Sequence, residues 1–290
     1  MNLLIIYLKG MLMGIADLVP GVSGGTIALI TGIYQRLINA IAAVNIENLK
    51  LLFSGQVKKA WQQVDGWFLV AVFAGILSSI FMFALLIAYL LEFHSVLTWS
   101  FFFGLILASA VFLLLYHQST HWVIWLMLLL GVVMGYYLSS QSMDVLPGGL
   151  LGIFLAGMIA ISAMILPGIS GSLILILLGK YLVLITAVGN KDWMTLFTFA
   201  GGCIIGLLVF SRLLKWLLAR HYTTTIYALV GLMLGTLFQV WPWKNIQTGN
   251  NMSPLNHPEP LLIQAMLLMT LAGVLVWLLF RFDSKRNQSH

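Results

Sequence analysis

Pro20-Gly21-Val22-Ser23-Gly24-Gly25 and Pro167-Gly168-Ile169-Ser170-Gly171-Ser172 are two copies of one short motif within a single chain. With the prolines aligned, the match continues at Gly32/Gly179, Tyr34/Tyr181, Leu37/Leu184 and Ile38/Ile185. Both copies lie inside apolar segments. Proline and glycine interrupt helices and expose backbone N–H groups, which is costly in lipid unless the break has a use. Two such breaks at equivalent places in two halves indicate a transporter binding site.

The composition is that of a membrane protein. The chain has 290 residues, of which 61% are hydrophobic and 8% are charged, and its mean hydropathy is +1.03. Soluble domains carry about 25% charged residues. We therefore predict an all-α polytopic membrane protein and interpret the net charge of +6 as loop bias, not as nucleic-acid binding.

Cysteine and histidine usage gives no sign of a cofactor. Cys203 is the single cysteine, which excludes an intramolecular disulfide and a cysteine-based metal site. The six histidines do not form a ligand or catalytic constellation in the sequence. We therefore expect neither a metal nor another cofactor.

Eight apolar runs organise the chain into two halves. A membrane span needs roughly 20 residues. Six runs are predicted spans: Trp67–Leu91, Leu97–Tyr116, Trp122–Leu138, Met194–Leu218, Thr224–Trp243 and Leu261–Phe282. Two longer runs, 3–43 and 148–188, contain the motifs. The order is one motif segment and three spans, repeated once.

The repeat extends beyond the motif. Phe73-Ala74-Gly75 resembles Phe199-Ala200-Gly201, and the segment from Phe103 to Ser109 resembles the segment from Val230 to Thr236. We therefore predict two repeats, residues 1–144 and 145–290. Because three spans per half is an odd number, the second repeat must enter from the opposite side of the membrane, so the repeat is inverted.

The distribution of lysine and arginine sets the orientation. With a cytoplasmic N-terminus, one side holds eleven basic residues and the other holds three, which is a strong positive-inside bias. This places both termini in the cytoplasm, and residues Asn45–Gly66 are predicted to lie on the cytoplasmic face as an interfacial amphipathic segment. The cytoplasmic set is Lys9, Arg36, Lys50, Lys58, Lys59, Arg212, Lys215, Arg220, Arg281, Lys285 and Arg286, and the outer set is Lys180, Lys191 and Lys244.

The depth of these charges favours re-entrant motif segments. Lys180 follows Ser172 by eight residues and Arg36 follows Thr26 by ten, which is about 12 and 15 Å of helix. If the motifs lie at the midplane of a hydrocarbon core about 30 Å thick, both charges reach the headgroups. We therefore predict two re-entrant hairpins, 3–43 and 148–188, with tips that meet near midplane. The alternative is two ordinary helical hairpins per half, which gives ten spans.

Each motif has the composition of an anion site. Pro-Gly ends one helix, and the serine and the residues after it open a second half-helix with free N–H groups and a positive dipole end. Two such termini facing each other would bind an anion. The alternative is that the glycines only permit close helix packing. The candidate residues are Pro20, Gly21, Ser23, Gly24, Gly25, Thr26, Pro167, Gly168, Ser170, Gly171 and Ser172.

Three charged residues extend the candidate site. Asp17 stands three residues before Pro20, and its repeat counterpart is Met164, so the hairpin fold does not require the acid. Asp17 is a candidate carrier of a coupling proton or cation, with capping of the hairpin turn as the alternative. Arg36 and Lys180 are candidate phosphate contacts, with snorkelling at the interface as the alternative.

The segment from Ala16 to Thr26, followed by Gly32 and Tyr34, resembles the bacterial polyprenyl-phosphate transporter family, once a domain of unknown function. The segment from Ala163 to Ser172, followed by Gly179 and Tyr181, resembles its second signature. The resemblance implies a transporter, not an enzyme, that returns the lipid carrier undecaprenyl phosphate from the outer to the inner leaflet of the cytoplasmic membrane. Lys180 departs from the family pattern, in which an apolar residue is expected.

Two other functions remain open at this point. An undecaprenyl-pyrophosphate phosphatase also uses a Pro-Gly-x-Ser motif, but that motif continues with arginine, whereas Gly24 and Gly171 follow the serines here. A transporter of a small soluble anion would use the same midplane site with a pathway closed to lipid. The expected partners are the polyprenyl phosphate, the bilayer and a coupling proton or cation.

Overall fold

The computed structural model describes residues 2–117, 121–140, 146–245 and 250–287, and the regular structure within these ranges is helical apart from one β-bridge between Lys244 and Asn251. The α-helices are α1 (Leu3–Asp17), α2 (Gly24–Ile30), α3 (Tyr34–Ala42), α4 (Ile46–Phe53), α5 (Val57–Gln63), α6 (Gly66–Phe93), α7 (Ser95–Tyr116), α8 (Trp122–Ser140), α9 (Gly149–Ile165), α10 (Gly171–Leu177), α11 (Tyr181–Gly189), α12 (Trp193–Arg220), α13 (Tyr222–Thr236) and α14 (Leu262–Asn287). A short 3-10 helix spans Pro254–Asn256.

Five of the described helices, α6, α7, α8, α12 and α14, are long and apolar enough to cross a membrane. The pair α10 and α11, bent by 107°, counts as a sixth span if it crosses as one unit. These helices confirm the predicted class, an all-α membrane protein with several spans.

One predicted span is shorter than expected. Within the run Thr224–Trp243, only the residues up to Thr236 are helical. They belong to α13, which has 15 residues and ends at Thr236. Turns follow from Leu237 to Val240. Pro242, which lacks a backbone N–H, then prevents the helix from resuming. The prediction was wrong here because apolar composition alone does not show where a helix ends.

Each motif run is broken twice. The motif separates α1 from α2 and α9 from α10, as predicted, and a second break separates α2 from α3 and α10 from α11. The φ angles at matching glycines are similar: 80° at Gly21 and 86° at Gly168, then 70° at Gly32 and 64° at Gly179. Because positive φ is readily adopted only by glycine, these four residues fix both breaks in both copies.

Helix packing follows the repeat. In the first half α1 packs on α6, and in the second half α9 packs on α12. The third helices cross over, since α14 packs on α7 and α8 packs on α13. Between α8 and α13, a Cβ added at Gly231 would lie 3.0 Å from the Cα atom of Gly131. The two halves are therefore interlocked. The predicted boundary at 144/145 lies outside the described residues, and the inverted, re-entrant arrangement stays a prediction.

The predicted amphipathic segment, 45–66, contains the short helices α4 and α5. Ile46, Phe53 and Val57 are exposed on it, beside the exposed cations Lys58 and Lys59. Its location at the membrane interface stays a prediction.

Candidate functional site

The first motif satisfies its own helix start. Ser23 is the N-cap of α2, and its hydroxyl accepts a hydrogen bond from Gly25 N at 3.1 Å. Asp17 Oδ1 accepts from Gly24 N at 2.7 Å. These two acceptors occupy N–H groups that begin a helix without partners. Asp17 therefore adopts the capping contact that was the alternative to a coupling role.

Side chains of the first motif run also satisfy the end of α9. Ser23 Oγ lies 3.2 Å from both Met164 O and Leu166 O, so its one proton can be donated to either. The Tyr34 hydroxyl donates to Ile165 O at 3.2 Å. The last carbonyls of a helix have no partner within that helix. Ser23 and Tyr34 thus connect the two halves.

The two motifs are in direct contact. Thr26 Oγ1, which is fully buried, accepts a hydrogen bond from Gly168 N at 2.9 Å. A Cβ added at Gly25 would lie 2.7 Å from Ile165 O, so the approach of α2 to the end of α9 requires glycine at this position. The structure thus brings together the two sequences that were predicted to share a site.

The second motif is more open than the first. Ser170 begins α10 but makes no side-chain capping bond. Its hydroxyl instead pairs with the Ser172 hydroxyl at 2.8 Å. Ser172 is exposed, whereas Ser23 is 1% exposed and inaccessible to a ligand in this conformation. Within the described part of the chain, one proton of the Ser170–Ser172 pair and the first N–H groups of α10 have no hydrogen-bond acceptor.

Arg36 and Lys180 lie apart from the motifs. Arg36 forms a two-point ion pair with Asp65, at 2.6 Å (Nε) and 3.1 Å (NH2), and its guanidinium carbon lies 4.3 Å from the centre of the Phe68 ring. Lys180 Cε is 3.5 Å from where a Cβ on Gly152 would be, near the start of α9. Within the described residues, no hydrogen bond from either side chain reaches a motif.

Residues at the end of α13 also contact the motif turns, although neither motif in the sequence indicates them. A Cβ added at Gly168 would lie 2.8 Å from Thr236 Oγ1, and one added at Gly21 would lie 3.0 Å from Gln239 Cγ. Thus residues of one short segment contact the turn of each motif. The available signal was Gln239 itself, a polar amide inside an apolar run.

A cavity of about 470 Å³ is lined by residues that include Glu92, His94, Lys244, His257 and Glu259. Lys244 Nζ donates to Gln239 O at 2.7 Å and lies 4.2 Å from the centre of the Trp99 ring. Burial lowers the pKa of Lys244 from 10.5 to about 8, because desolvation disfavours the charged amine. Lys244 therefore joins this cavity to the segment at the motifs.

The family model and the relatives that this chain matches all have names that refer to transport of a polyprenyl phosphate. A family model described as undecaprenyl phosphate translocase-like matches residues 13–255. A Vibrio cholerae protein named polyprenyl-phosphate transporter is 45% identical over 84% of this chain and 79% of its own length. A Staphylococcus aureus protein of the same name is 32% identical over 81% of this chain and 85% of its own length. No solved structure gave a significant match.

Proposed function

This chain belongs to the undecaprenyl phosphate translocase-like family, and from that premise we propose that it carries a polyprenyl phosphate across the membrane. The observation that carries the proposal is the match, over more than four fifths of the chain, to two proteins named polyprenyl-phosphate transporter. Contact between the two motifs supports it, because a single phosphate could then interact with both. The protein shields the charged head while the apolar tail stays in lipid.

The phosphate binds chiefly at the second motif in the conformation described. The first helix start already holds the Asp17 carboxylate, whereas α10 makes no side-chain capping bond and Ser172 is exposed. A phosphate oxygen there accepts from the serine hydroxyls and approaches the backbone at Gly171. Pro20, Gly21, Gly24 and Gly25, with Pro167 and Gly168 in the second copy, shape the two turns. Arg36 and Lys180 act farther out, where the headgroup enters or leaves.

Asp17 couples transport to a proton or cation. A phosphate that approaches the motif turns meets the Asp17 carboxylate, and two negative groups a few ångströms apart in a medium of low polarity repel each other. Protonation of Asp17, or a cation beside it, removes that repulsion. Inward movement of an anion also opposes a negative-inside potential by about 2.3 kcal/mol per charge per 100 mV, which a co-transported cation offsets.

The proposed path runs from the outer to the inner leaflet of the bacterial cytoplasmic membrane, with undecaprenyl phosphate as the substrate. Two inverted halves that rock about a midplane site would expose the headgroup to each leaflet in turn. The matched helix breaks and the matched packing of α1 on α6 and α9 on α12 support a duplicated unit. Both termini lie in the cytoplasm in this arrangement.

The test is transport of a labelled polyprenyl phosphate by purified protein in liposomes. The variant is Ser170→Ala/Ser172→Ala, which removes the hydroxyl pair at the start of α10 and leaves the bonds of Ser23 intact. The control is Thr270→Ala, which removes an exposed hydroxyl that bonds only within α14. We expect transport by wild type and control and a loss of at least about tenfold in the variant.

Three results would count against the proposal. Absence of transport by folded wild-type protein under several pH and ion gradients would refute lipid transport. Competition by a water-soluble phosphate, without any by the lipid, would favour a soluble anion as substrate. Release of phosphate from a polyprenyl pyrophosphate would indicate a phosphatase. For coupling, Asp17→Asn with normal activity and an unchanged pH dependence would exclude Asp17 as the proton carrier.

A further inference from the structure

The end of α13 departs from the repeat. The residues up to Thr236 match those up to Ser109, yet α7 continues as a helix to Tyr116 whereas α13 stops at Thr236. The four residues that follow form turns. Because the matching helix continues, the repeated fold does not require this break.

Residues at and just after the end of α13 contact both motif turns. On one side, Gln239 Cγ and Cβ would lie 3.0 and 3.7 Å from a Cβ on Gly21. On the other side, Thr236 Oγ1 would lie 2.8 Å from a Cβ on Gly168. These two glycines occupy equivalent positions, and Gly168 N is bonded to Thr26 of the first motif. Gln239 thus lies where the two halves meet.

The backbone of Gln239 is held while its side chain is unengaged. Gln239 N donates to Thr236 O at 2.9 Å, and Gln239 O accepts from Lys244 Nζ at 2.7 Å. The side chain is half-buried, and its amide makes no hydrogen bond within the part of the chain that the structure describes. A primary amide has two N–H donors, and this side chain leaves both of them without an acceptor among the described residues. A ligand with acceptor oxygens would satisfy them.

Resting on the proposed function, we propose that the Gln239 side-chain amide donates a hydrogen bond to the phosphate of the transported headgroup. Gln239 is then a third contributor to the site, beside the two motifs. The amide binds phosphate oxygen as a neutral donor. A lysine at this position would add a charge that binds the phosphate more tightly and slows its release to the second leaflet. The group that Gln239 recognises is the phosphate monoester at the head of a lipid.

The test measures binding of two lipids to purified protein in nanodiscs: a labelled polyprenyl phosphate and the polyprenol of equal length, which lacks the phosphate. Gln239→Ala removes the donor, and Gln239→Glu keeps the shape but adds a negative charge. Gln264→Ala, which removes an exposed amide on α14, is the matched control. Thermal unfolding of each variant reports its folding.

We expect Gln239→Ala to raise the Kd for the phosphate lipid about 10-fold to 100-fold, as loss of a hydrogen bond to a charged group predicts. Gln239→Glu raises the Kd further, because the carboxylate and the phosphate repel each other. The Kd for polyprenol stays unchanged in both variants, and Gln264→Ala behaves as wild type. If Gln239→Ala does not fold, the nearly isosteric Gln239→Glu variant carries the test.

Two outcomes would overturn the assignment of Gln239. An unchanged Kd for the phosphate lipid would show that the amide does not contact the phosphate. An equal loss of phosphate lipid and polyprenol would show that Gln239 only supports the local structure. Failure of the wild-type protein to bind the phosphate lipid would instead count against the proposed function. Displacement of the bound lipid by inorganic phosphate would separate recognition of the head from recognition of the tail.

Discussion

Replacement of Gly168 by alanine tests the contact between the motif turns and α13. A Cβ at this position would lie 2.8 Å from Thr236 Oγ1 and 2.9 Å from the Met233 Cα atom. Backbone atoms of a packed helix cannot move away cheaply. The residue also has φ of +86°, a conformation that alanine adopts only with strain.

Two terms contribute to the expected loss of stability. Left-handed backbone costs an alanine about 1–2 kcal/mol. Insertion of a methyl group into a packed interior costs about 1–3 kcal/mol. The free energy of unfolding should therefore fall by about 2–5 kcal/mol in Gly168→Ala. Lipid transport should fall as well, because the turn that presents Ser170 is displaced.

The assay is reversible unfolding in mixed detergent micelles, followed by tryptophan fluorescence. Gly171→Ala is the matched control within the same motif, since its Cβ would lie 3.4 Å or more from every neighbouring atom and its φ is not positive. Gly21→Ala should be intermediate, because it has the same backbone strain but meets only the flexible side chain of Gln239 and that of Val240.

The expected order of destabilisation is Gly168→Ala, then Gly21→Ala, then Gly171→Ala. If Gly168→Ala stays within about 0.5 kcal/mol of wild type, the range typical of surface substitutions, the described contact between α13 and the motif does not exist. A Gly171→Ala variant as unstable as Gly168→Ala would refute the steric argument too, because it would show that any added methyl group in the motif is equally harmful.

Three further predictions concern buried and charged groups. Thr26→Val leaves the buried Gly168 N–H without an acceptor and should cost about 1–3 kcal/mol in the same unfolding assay; an unchanged stability would contradict the bond. Arg36→Lys loses the two-point contact with Asp65, but the pair is more than a third exposed, so the loss should stay below about 1 kcal/mol, and a larger loss would contradict that exposure. The pKa of Lys244 is lowered from 10.5 to about 8 in the folded protein, so the unfolded chain holds this proton more tightly. The free energy of unfolding of wild type should therefore rise between pH 8 and pH 10.5 relative to that of Lys244→Met. Parallel pH profiles of the two proteins would contradict the lowered pKa.

Much of the fold followed from local sequence features. Long apolar runs predicted five of the spans, because only helices satisfy their own backbone in lipid. Pro-Gly pairs predicted the breaks at Gly21 and Gly168, and the structure gives both residues positive φ. These features act over a few neighbouring residues, so a single sequence reveals them.

The unequal roles of the two serines depended on packing. Ser23 and Ser170 are equivalent in the repeat, and both begin a half-helix. Only the folded chain buries Ser23 against the end of α9 and leaves Ser172, the hydrogen-bond partner of Ser170, exposed. Burial depends on which surfaces of distant helices meet, and the motif itself contains no information about its neighbours.

The sequence by itself determined the membrane class, the duplicated motifs and the family resemblance, because hydropathy, helix breaks and repeats are written along the chain. Only the tertiary structure decided that Thr26 binds Gly168, that Asp17 caps α2, and that Gln239 lies at the motif turns. Thr26 and Gly168 are 142 residues apart. Contacts of this kind arise from the packing of helices, and periodicity along one segment cannot reveal them.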